Sequence, residues 1–279
     1  MDSAQVDAYL LRLGAARPER PTSEALRELH LRHLRTVPFE NLSIHLGEEI
    51  VLEEKRLLDK VTGSGRGGFC YELNGAFGSL LTALGYAVDL LAARVYDDQG
   101  RAGIPYDHLA LRVRTADGDT WLADVGFGAH SHYPLAYGER GEQDDPGGRF
   151  RLAEAGPDAA GVRGGGGPAG AGDLDVIRDG RPQYRLETRA RVLGDFAAGA
   201  WWHRTSPLSH FTRSLVCSRI TEDGGRITLG GRTLTATAAD GTRRKRELGT
   251  SEEVLAVYRE RFGIELDSEP GVRARRHTE

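Results

Sequence analysis

The stretch "RGGFCYELN", residues 66–74, changes character at its centre. Up to Phe69 it is glycine-rich and unsuited to a regular element. From Cys70 onward Leu73, Phe77, Leu80, Leu81 and Leu84 recur three and four apart, which predicts a helix closed by Gly85. Cys70 therefore falls on the N-terminal edge of that helix. Unsatisfied N–H groups and the helix dipole favour a thiolate there, and Arg66 adds a positive charge close by in sequence. Gly67 and Gly68 allow the backbone to approach a ligand closely or to take a positive φ. The other cysteine, Cys217 in "SLVCSRI", reads as a small buried apolar residue.

Outward from this stretch, residues 1–85 read as helical. "SAQVDAYLLRLG" puts Val6, Leu10 and Leu13 on one face and stops at Gly14. "TSEALRELHLRHLRTV" opens on Thr22 or Ser23 as N-cap, carries Leu26, Leu29, His33 and Leu34 at helical spacing, and is broken by Val37-Pro38. "LEEKRLLDKVTG" predicts a further helix ending at Gly63. From about residue 86 the period falls to two. "YAVDLLAARVY", "HLALRVR" and "TWLADVGF" predict strands, with Asp117-Gly118 as the turn between the last two. "RFRLA", "LDVIRD" and "QYRLETR" continue the pattern. The Gly/Ala/Pro-rich run from Ala155 to Asp173 reads as a flexible insert between strands. A connecting piece from Asp195 to Trp202 precedes the strands "RSLVCSRITE", "GRITLGG" and "RTLTATAA" and the helix "SEEVLAVYRERFG", with Ser251 as N-cap and Gly263 as stop. Segregated helices and strands indicate an α+β fold rather than an alternating βαβ one.

Composition narrows the function classes. The chain has 279 residues and a formal net charge of −4 with acids and bases mixed, so no basic footprint for nucleic acid is present. The basic runs "RRKR" (Arg243 to Arg246) and "RARR" (Arg273 to Arg276) read as a solvated turn and tail. No apolar run approaches the length of a membrane span, and the N-terminus has no signal-peptide pattern. Two cysteines do not make a disulfide framework, so the expectation is a cytoplasmic protein with reduced thiols.

A thiol nucleophile needs a base, and the base needs an orienting group. His108 stands at the start of a strand in "DHLALRV", and Asp124 is a lone acid inside the apolar "LADVGFG". A buried carboxylate is costly unless paired, and His108 would pair it. A simple hairpin turning at Asp117-Gly118 sets His108 opposite Phe127, about three residues or ~10 Å from Asp124, so contact would need a bulge, strong coiling or another pairing. His30, His33 and His45 could face solvent or core. His130 and His132 in "GAHSHY" suggest a metal pair, but no third ligand stands at a useful spacing, so no metal is expected.

"RGGFCYELNGAF", "DHLALRV" and "LADVGFG", in this order, resemble the arylamine N-acetyltransferases. The likeness extends to "VPFENL", "GEEIVLEEKRLLDKV", "DFAAGAWWHRTSPLSHF" and "VYRERFGIEL", and lapses in the glycine-rich insert. It implies a helical bundle (1–85), a β-barrel carrying the insert 155–173 (86–194), and a connecting segment with an α/β lid (195–279), around a papain- or transglutaminase-like core. It also implies a Cys70–His108–Asp124 triad, a structural ion pair between Arg66 and Glu40 that links "VPFENL" to the nucleophile loop, and ping-pong acetyl transfer from acetyl-CoA to an arylamine, arylhydrazine or arylhydroxylamine. Phe39, Tyr71, Phe127 and Phe211 would line the acceptor slot, and Gly126 and Gly128 would let the backbone come close to the acyl-CoA. Ala200 stands where the family pattern has asparagine, followed by Trp201 and Trp202. Two other readings use the same residues. An ansamycin-type amide synthase would take a polyketide chain from an acyl carrier protein, and a cysteine hydrolase would cleave amides.

Overall fold

The computed structural model describes residues 1–156 and 172–272, so most of the glycine-rich insert and the run "RARR" lie outside the described residues. The N-terminal part holds α1 (Ser3–Leu13), α2 (Ser23–Thr36), the short strand β1 (Phe39–Glu40), α3 (Leu42–Leu46), α4 (Glu54–Leu58) and α5 (Cys70–Ala83). Thr22 caps α2 through its side chain, accepting from the Ala25 N–H. Helix α4 is shorter than its sequence suggests, because a π-turn over Asp59–Gly63 takes up its second half. The apolar stripes meet around α5, where Leu73, Ala76, Phe77, Leu80 and Leu81 are fully buried among α1, α2 and the adjoining sheet.

The next segment supplies β2 (Ala87–Val95), β3 (His108–Arg114), β4 (Thr120–Ala123), β5 (Leu135–Ala136), β6 (Gln143–Asp145), β7 (Gly148–Glu154), β8 (Leu174–Arg178) and β9 (Arg181–Arg191). They form one antiparallel sheet in the order β5-β4-β3-β2-β9-β8-β7-β6. Its two edge strands are joined by one side chain: the Ala136 N–H donates to Gln143 Oε1 at 2.7 Å, and Gln143 Nε2 donates to the Ala136 carbonyl at 3.1 Å. The expected barrel is thus a nearly closed sheet. Its strands alternate as period two requires. Leu91, Ala93, Ala110, Leu122, Phe150, Val176 and Tyr184 fill the inside, while Ala92, Leu109, Leu111, Val113 and Ala123 pack outward on the helices.

After a 3-10 turn come α6 (Ala197–Thr205) and α7 (His210–Arg213), then β10 (Val216–Ile220), β11 (Arg226–Gly230), β12 (Thr233–Thr237), β13 (Arg243–Glu247) and α8 (Ser251–Val257). The second sheet has the order β1-β10-β11-β12-β13, so its first strand comes from "VPFENL". Helix α8 covers one face, where Cys217, Ile227 and Leu229 meet Val254, Val257 and Tyr258. Two sequence expectations need correction here. "RRKR" is not a turn but β13, an exposed edge strand whose charges deter further pairing. The N-cap of α8 is Thr250, which accepts from the Glu253 N–H, and not Ser251.

Candidate active site

Cys70 is the first residue of α5, buried at 4 % exposure. The glycines before it have a packing reason. A Cβ on Gly67 would run into the Pro38 carbonyl, and one on Gly68 would lie 2.6–2.8 Å from the Glu72 side chain. Neither glycine has a positive φ. They let "RGGF" lie against β1, with the Glu40 N–H donating to the Gly68 carbonyl at 2.9 Å, while Glu72 folds back to accept from the Phe69 N–H at 3.2 Å. The charge expected near Cys70 from Arg66 is engaged elsewhere: Arg66 Nε donates to Glu40 Oε1 at 3.0 Å and Nη1 reaches both Glu48 oxygens at 3.3 Å.

His108 and Asp124 are in contact, with Nε2 and Oδ2 2.7 Å apart. The register shortens the expected offset from three residues to two and so brings both side chains to one face. Leu111 pairs with Ala123 and Arg114 with Thr120. Both pairs sum to 234, so Asp124 continues opposite Ala110. His108 is then the diagonal neighbour on the same face of the sheet, a distance long side chains span. The strand also ends one residue early, at Ala123. Asp124 begins a turn in which its Oδ1 accepts from the Gly126 N–H at 3.0 Å. No bulge is needed.

Three residues hold this pair that sequence reasoning did not single out. Asn74 Nδ2 donates to Asp124 Oδ1 at 2.9 Å and to the Leu109 carbonyl at 2.6 Å, and Asn74 Oδ1 accepts from the Val125 N–H at 2.9 Å. Tyr184 donates its hydroxyl to Asp124 Oδ2 at 3.2 Å. His30 Nε2 accepts from the Asp124 N–H at 3.2 Å, which leaves Nδ1–H to donate to the His132 carbonyl at 2.9 Å. Asn74 had a signal: it lies four residues after Cys70, on the same helical face, and is polar where its neighbours are apolar.

These contacts fix protonation states. Asp124 accepts from Asn74, Gly126 and Tyr184. As an acceptor toward His108 it sets the imidazole proton on Nε2, leaving Nδ1 as the basic nitrogen. Burial alone would raise the Asp124 carboxyl, but His108, His130 and the Asn74 amide hold it well below the ordinary carboxylate range. Burial pushes His30 down to about 4, so it is neutral, as its hydrogen bonds require. Burial also raises the Cys70 thiol. The Asp107 and Asp124 carboxylates push it the same way, against the Leu109 and Tyr71 backbone N–H groups. A thiolate at Cys70 thus needs a proton acceptor in the site.

The structure places the other expected residues as follows. Phe39 and Phe211 face each other with ring centroids 6.0 Å apart, and Phe69 joins them 5.7 Å from Phe211. Phe127 packs edge-on to His108 at 5.1 Å. Tyr71 has no exposed surface, and its hydroxyl donates to the Tyr106 and Asp107 carbonyls. A Cβ on Gly126 would lie 2.8 Å from Cys70 Cα and 2.7 Å from Asn74 Nδ2, so this glycine is required by the cysteine itself. Gly128 has φ 89° and lies under the Phe39 ring. Ala200 is buried in α6 and Trp201 is 65 % exposed. His130 packs inside the sheet against Tyr184 and Phe150, and Cys217 lies in the core of the second sheet. Among the described residues no three His, Cys, Asp or Glu side chains converge to hold a metal ion, and no helix is long and apolar enough to cross a membrane.

The N-acetyltransferase family model matches residues 22–271. The chain belongs to the arylamine N-acetyltransferase family. It is 33% identical to the arylamine N-acetyltransferase of Mycolicibacterium smegmatis over 92% of this chain and 91% of that protein. The solved structure of the Salmonella typhimurium arylamine N-acetyltransferase superposes with a TM-score of 0.82 at 30% identity, covering 95% of this chain and 92% of that one. That of Mycobacterium marinum, in complex with CoA, gives a TM-score of 0.80 at 29% identity over 93% of this chain and 92% of that one. Acetyl transfer is the reaction of this family, and the present chain is an enzyme of it.

Proposed function

We propose that the protein moves an acetyl group from acetyl-CoA to an arylamine, arylhydrazine or arylhydroxylamine through a thioester on Cys70. The observation that carries this reading is the His108–Asp124 contact of 2.7 Å, tied through Asn74 to the helix that begins at Cys70. His108 Nδ1 takes the thiol proton, and Sγ attacks the thioester carbonyl. CoA leaves as its thiol, carrying that proton. The acceptor amine then attacks the Cys70 thioester, its proton passes to His108, and the thiol reforms. Asp124 keeps the imidazole in the required tautomer and supports its charge. An aryl amine is neutral near pH 7 and suits an aromatic slot, which Phe39, Phe211 and Phe69 would supply, with Phe127 and Tyr71 behind them. Gly126 and Gly128 would flank the acyl-CoA. In this reading, residues 1–85 carry the nucleophile, 86–194 the base and its partner, and 195–279 the cover of the acceptor slot, in a cytoplasmic protein.

Intact mass spectrometry tests it. Mixing with acetyl-CoA should add one acetyl group at Cys70, and 5-aminosalicylate should remove it. If no acetyl adduct forms while a long-chain or carrier-bound acyl thioester acylates Cys70, the amide synthase reading replaces this one. Release of the acyl group to water alone, with no aryl amide formed, would make the protein a hydrolase.

A further inference from the structure

Helix α6 lies on the segment that leads into His108. Tyr106 has φ 59°, in the left-handed region that side-chain-bearing residues adopt at a cost. A Cβ on Gly199 would stand 2.7 Å from the Tyr106 carbonyl oxygen and 2.8 Å from the Tyr71 hydroxyl, so glycine lets α6 rest directly on this strained point. One helical turn later, His203 is buried at 6 % exposure. Its Nε2 lies 3.0 Å from Asp107 Oδ1 and 3.2 Å from the Asp107 carbonyl oxygen, so Nε2–H is shared by two acceptors of one residue. Its Nδ1 lies 3.2 Å from Ser209 Oγ, which also accepts from the Phe211 N–H at 3.2 Å.

We propose that His203 is a positioning residue for the transfer site: from α6 it holds the backbone and carboxylate of Asp107, and so sets both the approach to His108 and the charge felt by the Cys70 thiol. The proposal rests on Cys70 being the nucleophile. Asp107 precedes His108 directly, and after burial its carboxylate is the foremost influence raising the thiol. Around His203, Asp107 comes from the loop before β3, Tyr71 from α5 and Ser209 from the turn before α7, and the rings of Phe69, Phe211 and Trp202 complete the enclosure. The carboxylates that act on the thiol are Asp107 and Asp124, and the Tyr71 hydroxyl is a titratable group coupled to it. His203 is thus the side chain that pairs with the Asp107 carboxylate, and it does so from the helix that packs on the aromatic wall.

The test is the pH profile of Cys70 alkylation by iodoacetamide on the full chain, read by peptide mass spectrometry with no acyl donor present. His203→Leu leaves Asp107 Oδ1 without its donor and only the Val95 N–H, 3.2 Å from Oδ2, on the carboxylate; the midpoint for Cys70 should rise by about one pH unit. Adding Asp107→Asn to that variant should return it. Should His203→Leu not fold, His203→Gln, alone and with Asp107→Asn, carries the same comparison with a smaller shift. An unmoved midpoint, or a midpoint that stays raised in the double variant, reduces His203 to a packing residue and overturns the proposal. Failure of the acetyl adduct to form while the midpoint still shifts would sink the acetyl-transfer reading alone.

Discussion

Arg66→Ala separates two roles that the sequence leaves open for the arginine before the nucleophile loop. Arg66 is 7 % exposed and Glu40 fully buried. Besides Arg66, Glu40 accepts from the Leu42 N–H at 2.6 Å and has Lys60 Nζ at 3.9 Å, while Lys60 itself sits 2.6 Å from Glu72. Removing one partner of a buried pair costs about 3–5 kcal/mol, because the other charge is stranded. Lys60 retains part of the compensation, which places the loss near the lower end, about 3 kcal/mol. For a chain of this size each kcal/mol moves the melting temperature by about 2–4 °C, so the expected fall is about 6–12 °C.

The pH dependence gives a second handle. Burial would raise the Glu40 carboxyl, but Lys60, Arg66 and the Leu42 N–H hold it below its ordinary value. A depressed folded value stabilises the fold above the unfolded carboxyl's pKa of about 4.3, and that stabilisation is lost as pH falls through the folded value. The alanine variant lacks part of the depression. Its deficit should therefore be largest at pH 7 and shrink below about pH 5. Differential scanning calorimetry at both pH values, with the acetyl adduct at Cys70 measured alongside, decides the matter. An unchanged melting temperature with lost acetylation would refute the reasoning and make Arg66 a stabiliser of the thiolate.

Asp124→Asn should lower the acylation rate by about 10³–10⁴-fold, as expected when an imidazole loses the carboxylate that sets its tautomer. Its amide would also turn an NH₂ toward either Asn74 and Gly126 or His108 and Tyr184, where only acceptors fit; wild-type acylation in this variant would assign the orientation of His108 to another group. Gly126→Ala should destabilise by about 1–3 kcal/mol and slow acylation, because its Cβ meets the Cys70 backbone, which cannot swing aside. A melting temperature within error of wild type would show that the loop relaxes freely. Cys70 should be alkylated much faster than Cys217 at pH 6 to 7, since both thiols are raised by burial but the proposed function gives Cys70 alone a base, His108; equal rates by peptide mass spectrometry would count against Cys70 as the nucleophile.

What could be read from the sequence, and what could not, divides along a physical line. Local periodicity carried the elements: α5 runs from Cys70 to Ala83, β3 from His108 to Arg114, and the glycines at 14, 85 and 263 take the positive φ of chain reversals. Short or charged strands escaped, because β1 has two residues and β13 is all charge, and neither shows an apolar alternation. The sequence points to His108 and Asp124 yet argues against their contact, because a one-residue error in hairpin register moves a side chain to the other face of the sheet. The true sum of 234 puts His108 and Asp124 on one face. Closeness in sequence sets Arg66 beside the thiol, whereas the resemblance implies a pair with Glu40, and it is Glu40, twenty-six residues away, that Arg66 meets. Long-range ties of this kind leave no periodic trace. They do leave a mark of another sort, a polar residue on an apolar face: Asn74 on α5, His30 on α2 and His203 on α6 are all buried, and each binds the backbone of a loop that carries Asp124 or leads into His108. The site is therefore held by helix side chains that reach the loops at the ends of the strands, and in sequences of this kind the buried polar residues of the helices are where the positioning of a buried His–Asp pair can be sought.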